Sequence, residues 1–429
     1  MEEVVEIKSP VSLSGEVTVG GAKNAVLPML IASLLTPDTC VFHNVPAIRD
    51  VFLTIDLLKQ FGASIDYSQG TFKVQTPVLL AQDASYSLVK AFRASFWILG
   101  PLLARGRAAR VALPGGDIIG ARPVDMHLDA LTQMGATIRV KGGVVYATAE
   151  AGLRPAHIEL RFPSVGATHQ ILLAASLTPG TTRIVGAARE PEIVAVAKLL
   201  IDMGAEIEGA GTSEICIQGK EQLGSTEQTL IGDRIEAATF CLAAVATRSK
   251  IAVNGFNPEH FGAFVDVLCD MGVQVNKRPQ GVDIDARGEL KPVAVTTAPF
   301  PGLATDIQAL LMAALVTIPG MSRIEETIFE GRFGHVAELC RLGARVEVSE
   351  RVAEVKGGLP LTGAPVEALD IRAAAGLVIA ALAADGVTQI HEPFHLSRGY
   401  DSMIEKFRAL GADMKLRVSD PEDFIGAGC

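Results

Sequence analysis

The chain has 429 residues, of which 49% are hydrophobic and 20% are charged. This length and apolar content exclude a disordered chain and predict two domains rather than one. The formal net charge of −10 at pH 7 and the pI near 5.4 exclude a general affinity for nucleic acid or anionic membranes, because both require a basic surface.

The N-terminal and apolar segments predict a cytoplasmic protein. Residues 1–10 are acidic and lack the basic start and apolar stretch of a secretory signal. Longer apolar segments are interrupted by proline or charge before the ~18 residues needed to cross a bilayer, so we expect no membrane association. The six cysteines form no CxxC pair, which indicates separate reduced thiols and no cysteine-bound metal.

One sequence pattern recurs six times along the chain. In each copy an apolar helical segment ends in glycine, and an alternating segment typical of a strand follows. Glycine at this place indicates a left-handed residue that ends a helix. Successive copies are 68 to 73 residues apart. The six glycines are Gly62, Gly135, Gly204, Gly272, Gly343 and Gly411.

A second helical segment, rich in alanine and other small residues, precedes the glycine pattern in every copy. Each copy therefore predicts the order strand, helix, strand, helix, strand, strand. Because these helices have little polar surface, we predict two α/β domains of three repeats each, with the helices inside and the sheets outside. The alternative is an ordinary βαβ sheet protein with accidental similarity. The small-residue helices are predicted at residues 22–35, 89–104, 164–176, 233–246, 305–316 and 371–384.

The few charged residues of these helices cluster at the helix starts. If the helices of each domain point the same way, their N-termini converge on one face and favour phosphate and carboxylate ligands. The alternative is that some of these residues, especially Asp233 and Asp370, are helix caps or ion pairs between domains. The charged residues are Lys23, Arg93, Asp233, Arg234, Asp306, Asp370 and Arg372.

The glycine-rich segment 113–123 predicts a mobile loop that can approach a ligand closely. Asp117 stands alone between glycines and isoleucines, where loss of water would raise the pKa of its carboxyl towards that of a general acid. Arg122 could hold a phosphate through two hydrogen bonds. Gly-Gly-Asp is also common turn chemistry, so the loop alone does not define a site.

Motifs for metals and nucleotide cofactors have no support in this sequence. His391 to His395 matches the zinc-protease pattern HExxH, but Pro393 prevents both histidines from lying on one helical face. No phosphate-binding GxxxxGK[ST] loop and no GxGxxG after a strand occurs. We therefore expect neither a metal nor a cofactor.

Eight short motifs resemble those of one enzyme family. They are GAKNAVLP at 21–28, FRASFWILGP at 92–101, LPGGDIIGARPVDMHL at 113–128, SVGAT at 164–168, AAREPEIV at 187–194, DRIE at 233–236, TDIQA at 305–309 and SRGY at 397–400. On these motifs the chain resembles the UDP-N-acetylglucosamine 1-carboxyvinyltransferases from residue 5 to residue 416. The resemblance implies an inside-out α/β barrel of two domains with six βαβαββ repeats, three per domain. We place residues 1–22 and 232–429 in one domain and residues 23–231, with loop 113–123, in the other.

The resemblance also implies the reaction. The family transfers the enolpyruvyl group of phosphoenolpyruvate to the 3-hydroxyl of UDP-N-acetylglucosamine and releases phosphate, the first committed step of peptidoglycan synthesis. It implies these two small molecules as partners, no cofactor, and a monomer. The alternatives are the shikimate-pathway enolpyruvyl transferase, whose Ser-Lys-Ser type motif is replaced here by residues 21–24, and a catalytically silent relative that binds the nucleotide sugar as a regulator.

The family's site residues map onto this sequence by motif. Lys23 and Arg398 are expected to hold phosphoenolpyruvate, with Asn24 beside it and Arg122 near its phosphate. Asp306 is the expected base for the sugar 3-hydroxyl. Arg332, Asp370 and Arg372 are expected at the rim where the domains close. The nucleotide-sugar site is expected to be lined by Arg93, Arg122, Pro123, Val124, Asp125, Met126, Ser164, Val165, Gly166, Asp306 and Ile328.

Two positions depart from the family pattern. Asp117 replaces the loop cysteine, and Phe162 replaces a lysine, with Arg161 next to it. We expect Asp117 to be the general acid. Because the antibiotic fosfomycin forms a stable thioether with a thiolate, we expect the protein to be insensitive to it.

Overall fold

The structure is a computed structural model that describes residues 3–117 and 119–418. Within these ranges no helix is long and apolar enough to span a lipid bilayer. Short 3₁₀ helices occur at Ser33–Leu35, Arg93–Ile98 and Pro258–Phe261. The α-helices are α1 (Lys23–Ala32), α2 (Arg49–Gln60), α3 (Tyr86–Ala91), α4 (Leu99–Gly106), α5 (Asp125–Gln133), α6 (Val165–Ser176), α7 (Pro191–Asp202), α8 (Arg234–Ala246), α9 (Phe264–Asp270), α10 (Thr305–Leu315), α11 (Val336–Arg341), α12 (Ile371–Ala383), α13 (Phe394–Gly399) and α14 (Met403–Ala409).

The strands are mostly three to six residues long. They are β1 (Glu3–Ser9), β2 (Ser14–Thr18), β3 (Cys40–His43), β4 (Ser64–Ser68), β5 (Thr71–Gln75), β6 (Ala108–Ala112), β7 (Thr137–Lys141), β8 (Val144–Thr148), β9 (His157–Glu159), β10 (Gly180–Val185), β11 (Glu206–Glu208), β12 (Glu214–Gly219), β13 (Thr226–Thr229), β14 (Lys250–Asn254), β15 (Gln274–Arg278), β16 (Gly281–Asp285), β17 (Ala294–Thr296), β18 (Gly320–Glu325), β19 (Arg345–Ser349), β20 (Val352–Gly357), β21 (Pro365–Glu367), β22 (Gly386–His391) and β23 (Asp413–Val418).

The chain forms two compact units, each with its own hydrophobic core. Unit 1 comprises Met1–Gly20, Asp117–Ala121 and Gly232–Cys429. Unit 2 comprises Gly21–Gly116 and Arg122–Ile231. Unit 2 is therefore inserted into unit 1 between β2 and α8.

Three helices form the interior of unit 1. Helices α8, α10 and α12 pack against one another, and every residue of α8 is buried. Three four-stranded sheets belong to this unit, with the strand orders β15-β16-β14-β2, β17-β18-β20-β19 and β21-β22-β1-β23. Small alanine side chains let the three helix backbones approach closely, and the valine, isoleucine and leucine side chains between them fill the core.

Unit 2 has the same plan. Its sheets have the strand orders β13-β3-β5-β4, β6-β8-β7 and β11-β12-β10-β9. In the third sheet, β9 and β10 are parallel and are joined by α6, whereas β11 and β12 add antiparallel strands after α7. This is the complete βαβαββ repeat. Helix α6 is buried from Ala167 to Ser176, as expected for an inner helix.

The predicted fold class is confirmed, but three repeats are completed by strands from distant parts of the chain. Strand β13 pairs in parallel with β3 of the first repeat, and β2 pairs in parallel with β14 of the fourth. Strand β1 lies between β22 and β23 and completes the sixth. In the second repeat the first strand is reduced to a single bridge between Asp83 and Arg110.

The six repeat glycines all have positive φ angles, between +87° and +115°. This conformation is strained for any residue with a Cβ atom. Glycine, which has no Cβ atom, adopts this conformation without strain, so the chain can leave the helix and enter the following strand. The predicted role of these glycines as helix stops is confirmed.

The predicted helix at residues 89–104 is wrong as a single element. Phe92 is extended, with φ −153° and ψ 141°, and separates α3 from the 3₁₀ helix Arg93–Ile98 that leads into α4. Pro101 accounts for the second change, from the 3₁₀ helix to α4 at Leu99, because proline in a helix interior removes a hydrogen bond and clashes with the preceding turn. In the observed arrangement Pro101 lies in the first turn of α4, where its missing N–H costs little.

Replacing Gly204 tests the helix stop. Its φ is +115° and a Cβ atom there would meet no neighbour within 4 Å, so Gly204→Ala introduces backbone strain and no clash. We expect the free energy of unfolding to fall by about 1–2 kcal/mol. Gly288→Ala is the matched control, because Gly288 is equally uncrowded and has no positive φ. Its unfolding midpoint should stay at or slightly above the wild-type value, and equal shifts for both variants would contradict the assignment.

Candidate active site

The helix starts of unit 1 carry the charged residues that the sequence singles out. Asp233 caps α8 by accepting hydrogen bonds from the backbone N–H groups of Ile235 (2.8 Å) and Glu236 (3.0 Å). Asp370 caps α12 in the same way through the N–H groups at positions 372 (2.8 Å) and 373 (3.0 Å). The predicted capping role of both aspartates is confirmed.

Asp306, in the first turn of α10, is held by two arginines. Arg332 donates from Nη2 to Oδ1 at 2.8 Å, and Arg372 donates from Nη2 to Oδ2 at 3.0 Å. Both arginine side chains are 6% exposed, whereas the Asp306 side chain is 25% exposed. The cluster thus connects α10, α12 and the segment after β18, and it leaves part of the carboxylate accessible to a ligand.

The charges of the two arginines fix the protonation state of Asp306. Burial by itself raises the pKa of a carboxyl group, but the charges of Arg372 and Arg332 and their hydrogen bonds outweigh it and hold the pKa of Asp306 well below its usual value. Arg372 also donates from Nη1 to the buried Tyr400 hydroxyl at 3.2 Å. Burial raises the pKa of Tyr400, which keeps this phenol neutral.

Arg398 and Asp117 form a further ion pair of unit 1 between predicted site residues. Arg398 Nη1 lies 2.6 Å from Asp117 Oδ1, and the two side chains are 10% and 20% exposed. Nearby, Glu330 accepts the backbone N–H of Ala121 at 2.7 Å, and the N–H of Gly331 donates to the carbonyl of Ile119 at 3.1 Å. These three contacts fix the described part of segment 117–121.

In unit 2, Lys23 is the first residue of α1. Its Nζ lies 3.1 Å from Oδ2 of Asp50, in the first turn of α2, and the Lys23 and Asp50 side chains are 12% and 2% exposed. Asn24 follows at the second position of the same helix. The two helix starts therefore lie side by side and present a lysine whose charge is partly balanced.

Arg93 and Arg122 form the second basic group of unit 2. Arg93 begins the 3₁₀ helix and donates from Nη2 to the carbonyl oxygen of Arg122. Burial and the nearby charge of Arg122 lower the pKa of Arg93 to about 10. Arg122 has a φ of +42°, a conformation that non-glycine residues rarely adopt and that is found mainly at functional sites. The charges of Arg93 and Arg122 act on each other, which favours an anionic ligand in this region.

The segment 164–166 begins α6. Ser164 caps the helix by accepting the N–H of Ala167 at 3.2 Å, and the carbonyl of Gly166 accepts the indole N–H of Trp97 at 2.9 Å. A Cβ atom at Gly166 would lie 2.8 Å from Nε2 of His127, so a larger residue there would force the His127 ring to move. Val165 is the first residue of the helix.

The segment 123–126 leads into α5. Asp125 is ion-paired with Arg161, and that charge with its hydrogen bond outweighs burial and lowers the pKa of Asp125. Phe162 is 40% exposed. Arg161, which precedes Phe162, brings a positive charge to this region. Pro123, Val124 and Met126 all lie at or near the surface.

Several residues of these clusters were not identified from the sequence. Tyr400, Thr305, Glu326, Glu330 and Asp50 contact the predicted residues but belong to no motif that indicates chemistry. Thr305 and Tyr400 do lie inside two of the motifs that carry the family resemblance, TDIQA and SRGY. Membership of these motifs is the one sequence signal that could have identified the two residues. Ile328, in contrast, was predicted and lies partly buried in the segment after β18.

The HExxH-like segment does not form a helical metal site. His391 ends β22 and His395 lies in α13, so the two histidines belong to different elements. Across residues 3–117 and 119–418, no group of three or more His, Cys, Asp or Glu side chains is placed to hold a metal ion.

Comparisons with known proteins agree with this fold. Residues 7–407 match the family model described as EPSP synthase (3-phosphoshikimate 1-carboxyvinyltransferase). The enolpyruvyl transferase NikO from Streptomyces tendae superimposes with a TM-score of 0.87 at 28% identity, covering 98% of this chain and 100% of its own. EPSP synthase from Acinetobacter baumannii superimposes with a TM-score of 0.75 at 19% identity over 98% of this chain and 100% of its own, which shows the shared fold.

Sequence relatives show to which family of enolpyruvyl transferases the chain belongs. The UDP-N-acetylglucosamine 1-carboxyvinyltransferase 2 of Carboxydothermus hydrogenoformans is 45% identical over 98% of this chain and 100% of its own. The UDP-N-acetylglucosamine 1-carboxyvinyltransferase of Trichlorobacter lovleyi is 46% identical over 95% of this chain and 97% of its own. The chain therefore belongs to the UDP-N-acetylglucosamine 1-carboxyvinyltransferase family of enolpyruvyl transferases.

Removing the Asp306 charge tests the arginine cluster. We expect Asp306→Asn to lower the free energy of unfolding by about 3 kcal/mol at pH 7, because two buried guanidiniums lose their counter-charge. Since the folded-state pKa of Asp306 is depressed, this contribution is complete above the ordinary pKa of 3.8 and is lost as the pH falls through the folded value. Denaturant titrations at pH 7, 5 and 3.5 should give the free energy of unfolding of both proteins. The difference between wild type and Asp306→Asn should become smaller only at pH 3.5.

The control for this series is Asp270→Asn, which changes an exposed aspartate of unit 1. It should alter the unfolding free energy by less than about 0.5 kcal/mol at all three pH values. A constant difference between Asp306→Asn and wild type from pH 7 to 3.5 would contradict the depressed pKa.

Proposed function

We propose that the protein transfers the enolpyruvyl group of phosphoenolpyruvate to the 3-hydroxyl of UDP-N-acetylglucosamine, with Asp117 as the general acid. The observation that carries the reaction is the near full-length similarity to transferases of that name. The charges described above support it, because both substrates are anions and the candidate residues include Lys23, Arg93, Arg122 and Arg398.

The substrate assignments follow the predicted residues. Lys23, Asn24, Arg122 and Arg398 bind phosphoenolpyruvate. The remaining residues line the nucleotide-sugar site, and Arg161 compensates for Phe162 near the diphosphate. These are Arg93, Pro123, Val124, Asp125, Met126, Ser164, Val165, Gly166, Ile328, Arg332 and Arg372.

The reaction needs one base and one acid. The sugar 3-hydroxyl oxygen forms a bond to C2 of phosphoenolpyruvate and gives its proton to the Asp306 carboxylate, while C3 takes a proton from Asp117. The tetrahedral adduct then returns a proton from C3 to the Asp117 carboxylate, the C2–C3 double bond forms again, and the C2–O bond to phosphate breaks. The low pKa of Asp306 keeps this group unprotonated at neutral pH, so it accepts the proton only as the C2–O bond forms and the hydroxyl becomes acidic.

The ion pair between Asp117 and Arg398 must open before the aspartate can serve as an acid. A carboxyl group has an ordinary pKa near 3.9, about 4.6 units below a thiol, so it must be shifted to hold a proton at neutral pH. Contact with Arg398 at 2.6 Å favours the carboxylate instead. When phosphoenolpyruvate takes over the donors of Arg398, Asp117 loses this cation and can take up a proton from solvent, which it then gives to C3.

Phosphate release measured with both substrates, singly and together, tests the reaction, and Asp117→Asn tests the acid. Phosphate should appear only when both substrates are present. An amide has the shape of the carboxyl group but no acidic proton, so we expect kcat to fall by about 10²- to 10⁴-fold. Asp129→Asn, at an exposed position of α5, is the matched control and should keep wild-type turnover. Wild-type turnover of Asp117→Asn would disprove the general-acid role.

Fosfomycin tests the chemical identity of residue 117. The wild-type protein should keep its activity after incubation, because a carboxylate is a poor nucleophile towards the epoxide, whereas Asp117→Cys should be inactivated with time and gain the mass of one adduct. The exposed thiols Cys269 and Cys340 are an internal control, since both are present in both proteins. Peptide mapping should find the adduct at position 117 alone. Inactivation of the wild-type protein with modification of Asp117 would refute the proposal.

A further inference from the structure

Glu326 is a buried glutamate immediately after β18, with 0% of its surface exposed. Its Oε1 accepts hydrogen bonds from the Thr297 hydroxyl (2.9 Å) and from the backbone N–H groups of Ile328 (2.8 Å) and Phe329 (3.1 Å). Its Oε2 accepts the Thr305 hydroxyl at 2.8 Å. Four donors thus converge on one carboxylate, which is what a buried charge needs to be stable.

The bond from Thr305 has a fixed direction. A carboxylate can only accept, so the single hydroxyl proton of Thr305 points at Glu326 and the hydroxyl lone pairs point elsewhere. One of them accepts Nη1 of Arg332 at 2.9 Å, and Nη2 of the same guanidinium donates to Asp306 at 2.8 Å. The chain of contacts therefore runs from Glu326 through Thr305 and Arg332 to Asp306.

We propose that Glu326 is a positioning residue for the transfer reaction: it sets the Arg332 guanidinium through Thr305 and thereby holds the Asp306 carboxylate in place. Its other oxygen holds the backbone of Ile328. The proposal rests on the proposed function, in which Asp306 receives the proton of the sugar hydroxyl and Ile328 lines the nucleotide-sugar site. Glu326 itself touches no substrate.

Glutamine at position 326 would reverse one bond of this chain. Its amide oxygen could replace Oε1 and keep the bonds to Thr297, Ile328 and Phe329. Its NH₂ group would then face Thr305 and donate to the hydroxyl oxygen, which now receives donors from both sides. The Thr305 proton would have to turn away from Glu326, and the hydroxyl would no longer be polarised by donating to a carboxylate. Its bond to Arg332 would therefore weaken, and the guanidinium that orients Asp306 would be held less firmly on that side.

A double-mutant cycle tests this path. We expect Glu326→Gln to lower kcat by about 10- to 100-fold, because a small misplacement of a reacting group has effects of this size. The KM for UDP-N-acetylglucosamine should change less than about threefold, since the bonds to the Ile328 segment are kept. In a Thr305→Val background the same substitution should have almost no further effect, because the link through which it acts is already broken.

Two variants complete the comparison. Thr305→Ser keeps the hydroxyl and should retain kcat near the wild-type value. Glu325→Gln changes the neighbouring glutamate, which pairs with Arg323 on the other side of the strand, and is the matched control with unchanged kcat. Thermal unfolding of every variant separates lost stability from lost turnover.

The outcomes distinguish this inference from the proposed function. If Asp306→Asn keeps wild-type turnover, the base assignment fails whatever Glu326 does. If Asp306→Asn is inactive but Glu326→Gln has wild-type kcat, or if the losses of Glu326→Gln and Thr305→Val simply multiply, the positioning role is overturned. Should Glu326→Gln fail to fold, Thr305→Val tests the same link, because it leaves the other three bonds of Glu326 intact. Wild-type kcat for that variant would overturn the inference equally.

Discussion

The contact of one carboxylate with two buried guanidiniums organises unit 1. Asp306 compensates the charges of Arg332 and Arg372, which water cannot reach, and removing it would leave two cations in a poorly solvated place. The three groups together carry one excess positive charge. Two further carboxylates, the caps Asp233 and Asp370 at the starts of α8 and α12, offset this excess. Arg332 and Arg372, which we propose to line the nucleotide-sugar site, are therefore also residues that stabilise this unit.

The fold could be predicted from the sequence where its determinants are local. A glycine after an apolar helix, or an aspartate before one, acts on the backbone within a few residues, so the six helix stops and the caps Asp233 and Asp370 were predicted correctly. The strands that complete the first, fourth and sixth repeats were not, because a strand's pairing partner is decided by the whole fold. The interruption at Phe92 also escaped the pattern, since apolar spacing continues across it.

In the candidate site, too, some residues could be predicted from the sequence and others could not. The repeat pattern and the resemblance selected the charged residues, and the structure joins Asp306 with Arg332 and Arg372 and joins Asp117 with Arg398. Glu326 could not have been found this way. Two consecutive glutamates after a strand are typical of a solvated turn, and only the coordinates show that Glu325 faces outward while Glu326 is enclosed by four donors.

The insertion of unit 2 between β2 and α8 has a consequence for synthesis on the ribosome. Unit 2 is nearly continuous in sequence, so almost all of it can fold while the remainder of the chain is still being translated. Unit 1 cannot, because β1 pairs residue by residue with β23, from Glu3 with Val418 to Lys8 with Asp413. Its first two strands must wait unpaired through most of translation, which exposes sheet edges to incorrect partners and makes the final assembly step one of high contact order.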